Sequence, residues 1–190
     1  MEKSFDVPLR AAITFLEKHN YRYAIIGGIA LSQWGVVRAT YDIDIKVLVP
    51  DTDYTRIRDL LKSTFPLPAR KIIPENPLII SVMIENVIVD FLLAIPGYEE
   101  LIIEHSIQRN IGGIPIWICS VEDLIIQKIV AGRGKDWDDV EALLIEQKNK
   151  LDEDYIENWL KQFADVLENI DLLIKYKNML QKIRAISKKY

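Results

Sequence analysis

The nine residues Tyr41-Asp-Ile-Asp-Ile-Lys-Val-Leu-Val49 alternate polar and apolar side chains and stop at Pro50. Side chains two apart on a strand share a face, so this run predicts a strand with two unlike faces. Ile43 and Ile45 turn to a core, while Asp42 and Asp44 project side by side from the other face. A chain that holds two carboxylates next to each other must leave that patch in water or bring positive charge to it. A lone D-x-D is common, and an exposed strand that happens to carry two acids is its ordinary reading. The surrounding sequence has to decide.

The rest of the chain predicts a mixed β-sheet flanked by helices, an α+β fold with a C-terminal helical tail. Leu9, Ala12, Ile13 and Leu16 recur at helical spacing behind Pro8, which predicts a helix over 8–19. Tyr23 to Ile26 reads as a short buried strand that ends at Gly27-Gly28, with a brief helix over 29–34. Asp51 or Thr52 is expected to cap a helix to about Phe65. Four prolines make 66–77 mostly loop, with one short strand at 69–73. Strands follow at 78–84 and 87–94 around a Glu85-Asn86 turn, a short helix at 97–104, and strands at 106–111 and 114–119 around Gly112-Gly113. From Ser120 onward the apolar spacing is helical, over 120–131, 136–148, 153–167 and 170–187. The expected organisation is one domain over 1–150 and a helical extension over 151–190 packed on it.

Charge and composition exclude several classes. Lys and Arg total 24 against 28 Asp and Glu, a net charge of −4, so no global positive field draws in long nucleic acid. The one cysteine, Cys119, lies in an apolar run, which excludes a disulfide framework and a cysteine metal site. The start of the chain lacks a basic flank and a long apolar stretch, and no eighteen uncharged apolar residues run together. A cytoplasmic protein with no membrane partner is expected.

Asp90 interrupts the otherwise apolar strand Val87-Ile-Val-Asp-Phe-Leu-Leu93. Burying an unpaired carboxylate costs several kcal/mol, so something positive should meet it. That is either an Arg or Lys or, with Asp42 and Asp44 on a neighbouring strand, a divalent cation such as Mg²⁺, which prefers oxygen ligands. Two such ions about 3.5 to 4 Å apart would clamp a phosphoryl displacement. Gly27-Gly28 could bring bare backbone to a phosphate, though a glycine pair is usually only a turn. Lys128 falls on the apolar stripe Leu124, Ile125, Ile129 of the helix that Ser120 and Asp123 begin. It either snorkels to water or meets a phosphate. Arg38 and Arg133 could contact phosphate or base, and Arg38 could equally orient Asp42. Asp136 is expected to cap a helix over 137–148 rather than to bind metal. His19 and His105 are expected at the surface, and Trp34, Trp117 and Trp137 in the core. Gly132-Arg-Gly-Lys135 lacks the strand, spacing and hydroxyl residue of a phosphate loop.

The stretch Ile26-Gly-Gly-Ile-Ala-Leu-Ser-Gln-Trp-Gly-Val-Val-Arg-Ala-Thr-Tyr-Asp-Ile-Asp-Ile-Lys46 resembles the signature of the DNA polymerase β-like nucleotidyltransferase superfamily, with Asp90 in place of its third acid. Ser120-Val-Glu-Asp-Leu124, Lys128 and Arg133-Gly-Lys-Asp-Trp-Asp-Asp139 extend the likeness to the AbiEii/AbiGii toxin-type members, over roughly residues 20–145. The resemblance implies a polymerase β-like nucleotidyltransferase fold. It also implies transfer of a nucleoside monophosphate from an NTP to an acceptor hydroxyl, with release of pyrophosphate. Asp42, Asp44 and Asp90 would hold two Mg²⁺ or Mn²⁺ ions, and Asp90 would help deprotonate the acceptor. Gly27, Gly28, Arg38, Thr40, Lys128 and Arg133 would contact the nucleotide. The acceptor would be tRNA, a protein or a small molecule, and an antitoxin protein is an implied partner. Aminoglycoside or lincosamide nucleotidyltransferases, and a non-catalytic nucleotide-binding relative, are the alternative readings.

Overall fold

The computed structural model describes residues 5–69, 76–148 and 150–187. Helix α1, Asp6–Lys18, buries Leu9, Ala12, Ile13 and Leu16 on the stripe that the spacing predicts. Strand β1, Tyr23–Ile25, leads into α2, Gly27–Gln33, so the glycine pair opens the helix rather than preceding it. Strand β2 is Asp42–Val47. A 3-10 turn at Pro50–Thr52 then precedes α3, Tyr54–Thr64. The cap of α3 is Asp53, whose carboxylate accepts from the Arg56 amide at 3.2 Å, and not Asp51 or Thr52 as expected. Those two positions are taken up by the 3-10 turn that Pro50 starts. The strand expected at 69–73 falls largely outside the described residues.

Strands β3, Ile79–Ile84, and β4, Val87–Leu93, form the expected hairpin. Glu85 and Asn86 both take positive φ, 48° and 65°, which matches the right-handed twist of paired strands. Helix α4, Tyr98–Glu104, leads to a second hairpin of β5, Ile107–Ile111, and β6, Ile114–Ile118. The six strands form one mixed sheet in the order β3-β4-β2-β1-β6-β5. Strand β2 runs parallel to β4 and antiparallel to β1, and β1 runs parallel to β6.

The register explains where the core lies. Ile43, Ile45 and Val47 of β2 pair with Val89, Phe91 and Leu93 of β4, and all six are almost fully buried on one face. Each such side chain contributes about 1.5 to 3 kcal/mol of transfer free energy. That burial locks the register, because a slip of one residue would turn the carboxylates inward.

The described helices after the sheet are α5, Val121–Ala131, α6, Gly134–Glu146, α7, Glu153–Val166, and α8, Asp171–Ser187. By internal contacts the chain falls into two units, Met1–Ala30 with Arg38–Ser120, and Leu31–Val37 with Val121–Tyr190. The second unit packs α5 against α6 and α7, and buries Leu124, Ile125, Val140, Leu143, Ile156 and Leu160. Trp137 is buried there, with the Lys175 ammonium 4.0 Å from its ring centre. Trp34 is partly exposed and Trp117 is 42% exposed, against the expectation of core positions. Trp117 sits on the outward-facing positions of β6, where alternation turns its ring away from the core. No helix among the described residues is long and apolar enough to cross a membrane.

Candidate active site

The polar face of β2 supplies Asp42 and Asp44, and the parallel pairing sets Asp90 of β4 directly beside Asp44. One oxygen from each of the three carboxylates lies within 4.8 Å of the others. The two acids of β2 are partly exposed, whereas Asp90 is 9% exposed. Its Oδ1 is buried without a hydrogen-bond partner, and no Arg or Lys among the described residues forms an ion pair with it. Burial, and then the charge of Asp42, push the Asp90 carboxyl above the usual carboxylate range, with the Ser81 hydroxyl opposing them. Two ionised carboxylates at this spacing repel by roughly 3 kcal/mol at an effective dielectric of about 20.

Ser81 and Lys46 are neighbours that the sequence reading passed over, although the pattern contains both. A two-residue turn at Glu85-Asn86 forces Ser81 to pair with Asp90. Alternation along β2 sets Lys46 on the face of Asp42 and Asp44. Lys46 is 6% exposed, and its ammonium is held by Glu99 of α4 at 2.5 Å. The one buried cation on this face of β2 thus has its own carboxylate.

The glycine pair fits tightly against the acids. Gly27 has a φ of 63°, and a Cβ there would overlap Asp44 Oδ2 and come 2.8 Å from Asp44 Cγ. A Cβ on Gly28 would lie 2.5 Å from the Thr40 hydroxyl. That hydroxyl donates to Asp42 Oδ1 at 3.2 Å. Gly27, Gly28, Thr40, Asp42, Asp44 and Asp90 are therefore brought together by two adjoining interior strands, β2 and β4, and the start of α2. Arg38 is exposed, and its guanidinium donates to the Ala39 carbonyl at 3.3 Å.

Lys128 and Arg133 lie in the second unit and meet at Asp136. Lys128 is 7% exposed, and its ammonium is 2.6 Å from Asp139 Oδ2 and 3.4 Å from Asp136 Oδ1. Arg133 grips Asp136 through both Nε and an Nη, at 2.5 and 3.0 Å, and its backbone N–H donates to the same carboxylate. Asp136 is the third residue of α6 and accepts from the Arg133 amide, rather than capping a helix that starts at 137 as expected, because α6 begins earlier, at Gly134. The positive charge on the apolar stripe of α5 is answered by two carboxylates of α6, the structural alternative to the phosphate contact that its position raised. Asp136 and Asp139, three residues apart, share one face of α6, and that much was available in the sequence.

The donor set suits a divalent cation. Three hard oxygen ligands converge, and one of them, Asp90, carries an unpartnered buried oxygen.

No curated protein sequence matches the chain. Its fold is that of the antibiotic-resistance factor ANT(2″)-Ia, solved in solution, with 14% identity, a TM-score of 0.52 and 96% of each chain covered. An antigenic nucleotidyltransferase-like protein from Paracoccidioides brasiliensis aligns over 87% of this chain and 90% of its own, with 17% identity and a TM-score of 0.48. The lincosamide antibiotic adenylyltransferase LnuA aligns over 71% of this chain and 93% of its own, with 16% identity and a TM-score of 0.47. A profile of nucleotidyltransferases of unknown function, DUF6036, matches residues 7–190, which includes the C-terminal helices that the sequence resemblance left out. The mixed sheet, the acids it gathers and this match over nearly the whole chain lead to one assignment: the protein belongs to the DUF6036 family of nucleotidyltransferases.

Proposed function

We propose that the chain is a metal-dependent enzyme that moves a nucleoside monophosphate from an NTP to an acceptor hydroxyl. The observation that carries this reading is the convergence of Asp42, Asp44 and Asp90, with Asp90 Oδ1 buried and unpartnered. Asp42, Asp44 and Asp90 would hold two Mg²⁺ or Mn²⁺ ions. When bound, such ions neutralise the triphosphate and the departing pyrophosphate. The chain's own residues do the rest. The acceptor oxygen attacks the α-phosphorus, the bond to the β-phosphate bridging oxygen breaks, and pyrophosphate leaves. Asp90 is proposed to take the acceptor proton, the role of a general base beside the attacking hydroxyl. Gly27 and Gly28 are proposed to bring bare backbone to the nucleotide phosphates, and the Thr40 hydroxyl orients Asp42. Arg38 is proposed to contact the phosphates or base from its exposed loop, and Arg133 likewise by its exposed guanidinium. Lys128, held between two buried acids, supports nucleotide binding at most through the shape of its helix pair.

The acceptor is proposed to be tRNA, a protein or a small molecule. The fold shared with ANT(2″)-Ia along 96% of both chains favours testing antibiotics among the small molecules. A toxin role with an antitoxin partner rests on the likeness of Ser120–Asp139 to the AbiEii/AbiGii type. Incubation of purified protein with each labelled NTP and Mg²⁺, against tRNA, protein and aminoglycoside or lincosamide acceptors, tests the reading. A labelled product with release of pyrophosphate supports it. NTP affinity that is equal with and without Mg²⁺, and no product with any acceptor, favours the non-catalytic nucleotide-binding relative instead. Growth arrest on expression, relieved by the product of a neighbouring gene, would support the toxin role.

A further inference from the structure

Strand register lays out what surrounds the three carboxylates on their own face of the sheet. Strands β3, β4 and β2 lie side by side, and their pairing aligns three rows there. The rows are Ile79, Leu92 and Lys46, then Ser81, Asp90 and Asp44, then Met83, Ile88 and Asp42. The alternate residues Ile80, Val82, Val89 and Phe91 are buried, and the Phe15 ring of α1 packs edge-on to Phe91 at 6.4 Å, so α1 covers the opposite face. Ile79, Met83, Ile88 and Leu92 are only half-buried. An apolar strip on β3 and β4 therefore meets water beside Asp90, and the four residues from Ile79 to Met83 make it about 14 Å long.

The chemistry proposed for the site decides which substrate meets that strip. An in-line displacement puts the attacking and leaving oxygens on opposite sides of the α-phosphorus. Gly27 abuts Asp44 from the β1 side, and Asp90 lies on the β4 side. Phosphates held at the glycines place the leaving pyrophosphate toward β1, so the acceptor enters across β4 and β3. The charged groups in the three rows are already committed there: the carboxylates to the ions, and Lys46 to Glu99 at 2.5 Å. What the rows offer an acceptor is apolar surface and the Ser81 hydroxyl. Such a lining, with one polar group at its centre, suits a ligand of the same make-up.

We infer that the acceptor is an uncharged hydroxyl compound, an alcohol or phenol whose apolar part covers Ile79, Leu92, Met83 and Ile88 while its hydroxyl reaches Asp90. This rests on the nucleotidyltransferase reading of Asp42, Asp44 and Asp90. The acceptor oxygen bonds to the α-phosphorus, the bond to the bridging oxygen of pyrophosphate breaks, and Asp90 receives the hydroxyl proton. A polycation would find the carboxylates of these rows taken by the ions. An RNA backbone needs several cations, and Lys46 is the one the rows contain.

Methyl NMR of the full chain, with Ile and Met methyl groups labelled, tests this in Mg²⁺ and the α,β-methylene analogue of whichever NTP binds. 4-phenyl-1-butanol is the probe for a free alcohol, and N-acetyltyrosinamide for a tyrosine side chain. Saturable shifts of the Ile79, Met83 and Ile88 methyls are expected with at least one probe, and the tighter of the two identifies the source of the hydroxyl. Kanamycin and tRNA should leave those methyls in place. Met83→Lys, on an edge strand that tolerates lysine, should weaken binding of that probe about tenfold while Mg²⁺-dependent NTP binding persists. Ile79→Thr keeps the β-branch of a strand residue and should weaken it in the same sense. No shift by about 10 mM of either probe overturns the inference and leaves the nucleotidyltransferase reading standing. Shifts caused by kanamycin or tRNA instead, or equal probe affinity in wild type and both variants, do the same. No Mg²⁺-dependent binding of any NTP by the wild type is a different failure, which overturns that reading and this inference together.

Discussion

Gly27 and Asp44 are packed so closely that Gly27 has no room for a side chain: a Cβ there would overlap Asp44 Oδ2, at a φ of 63°. The carboxylate and the bare backbone fix each other's position. Gly27→Ala is expected to cost roughly 1 to 3 kcal/mol from the left-handed conformation alone, and to push Asp44 off its place. Denaturant unfolding and divalent-dependent melting curves should therefore both respond. Unchanged stability together with an unchanged metal response would show that the turn relaxes around a methyl group. Gly28→Val, by contrast, should act on Asp42 through Thr40, and lower NTP affinity with a smaller loss of stability.

The acid cluster makes a thermodynamic prediction. Mg²⁺ or Mn²⁺ should raise the melting temperature of the wild type, because the ion binds where three carboxylates repel one another. Asp90→Asn or Asp44→Asn removes one charge at nearly constant volume. Either variant should be no less stable without metal, and should lose both the metal-dependent shift and the transfer activity. A metal shift that survives both substitutions would sink the proposed site.

Lys128 makes the opposite kind of prediction. Its ammonium is buried between Asp139 and Asp136, which are themselves 4% and 0% exposed. Lys128→Met takes the ammonium away from buried Asp139 and leaves Asp136 to Arg133 alone, so it should destabilise the fold by about 3 to 5 kcal/mol. A phosphate-binding lysine on an otherwise apolar stripe would instead lose NTP affinity while keeping or gaining stability. Paired melting and NTP-binding measurements on this variant separate the two roles.

Asp136 should be visible in the acid limb of stability. Burial alone would raise its carboxyl, but the Arg133 guanidinium and the Lys128 ammonium outweigh burial and hold it below the usual carboxylate range. The unfolded chain then binds more protons than the folded one, so this group stabilises the fold above about pH 4, its ordinary pKa. That contribution is lost as pH falls through the folded pKa. Asp136→Asn should cost roughly 1.5 to 3 kcal/mol at neutral pH, and the gap to wild type should close below about pH 4. A gap that is constant with pH would mean that the carboxylate's charge is not what matters there.

The sequence by itself determined the elements and the acids. Strict alternation over 41–49 separates Ile43 and Ile45 from Asp42 and Asp44 whatever the rest of the chain does, because side-chain direction on a strand is local geometry. The Glu85-Asn86 turn likewise dictates that Ser81 faces Asp90. Only the tertiary structure decided that β4 lies parallel to β2 with Asp90 beside Asp44, since strand order between distant segments is set by which apolar faces bury together. The same holds for Lys128. Its place on the stripe of α5 was legible, but which charge it meets depends on how α6 packs back on α5, and that packing brings Asp136 and Asp139 to its ammonium. Period and turn chemistry act over a few residues, whereas the partners of a buried charge are chosen by contacts between segments that the chain keeps far apart.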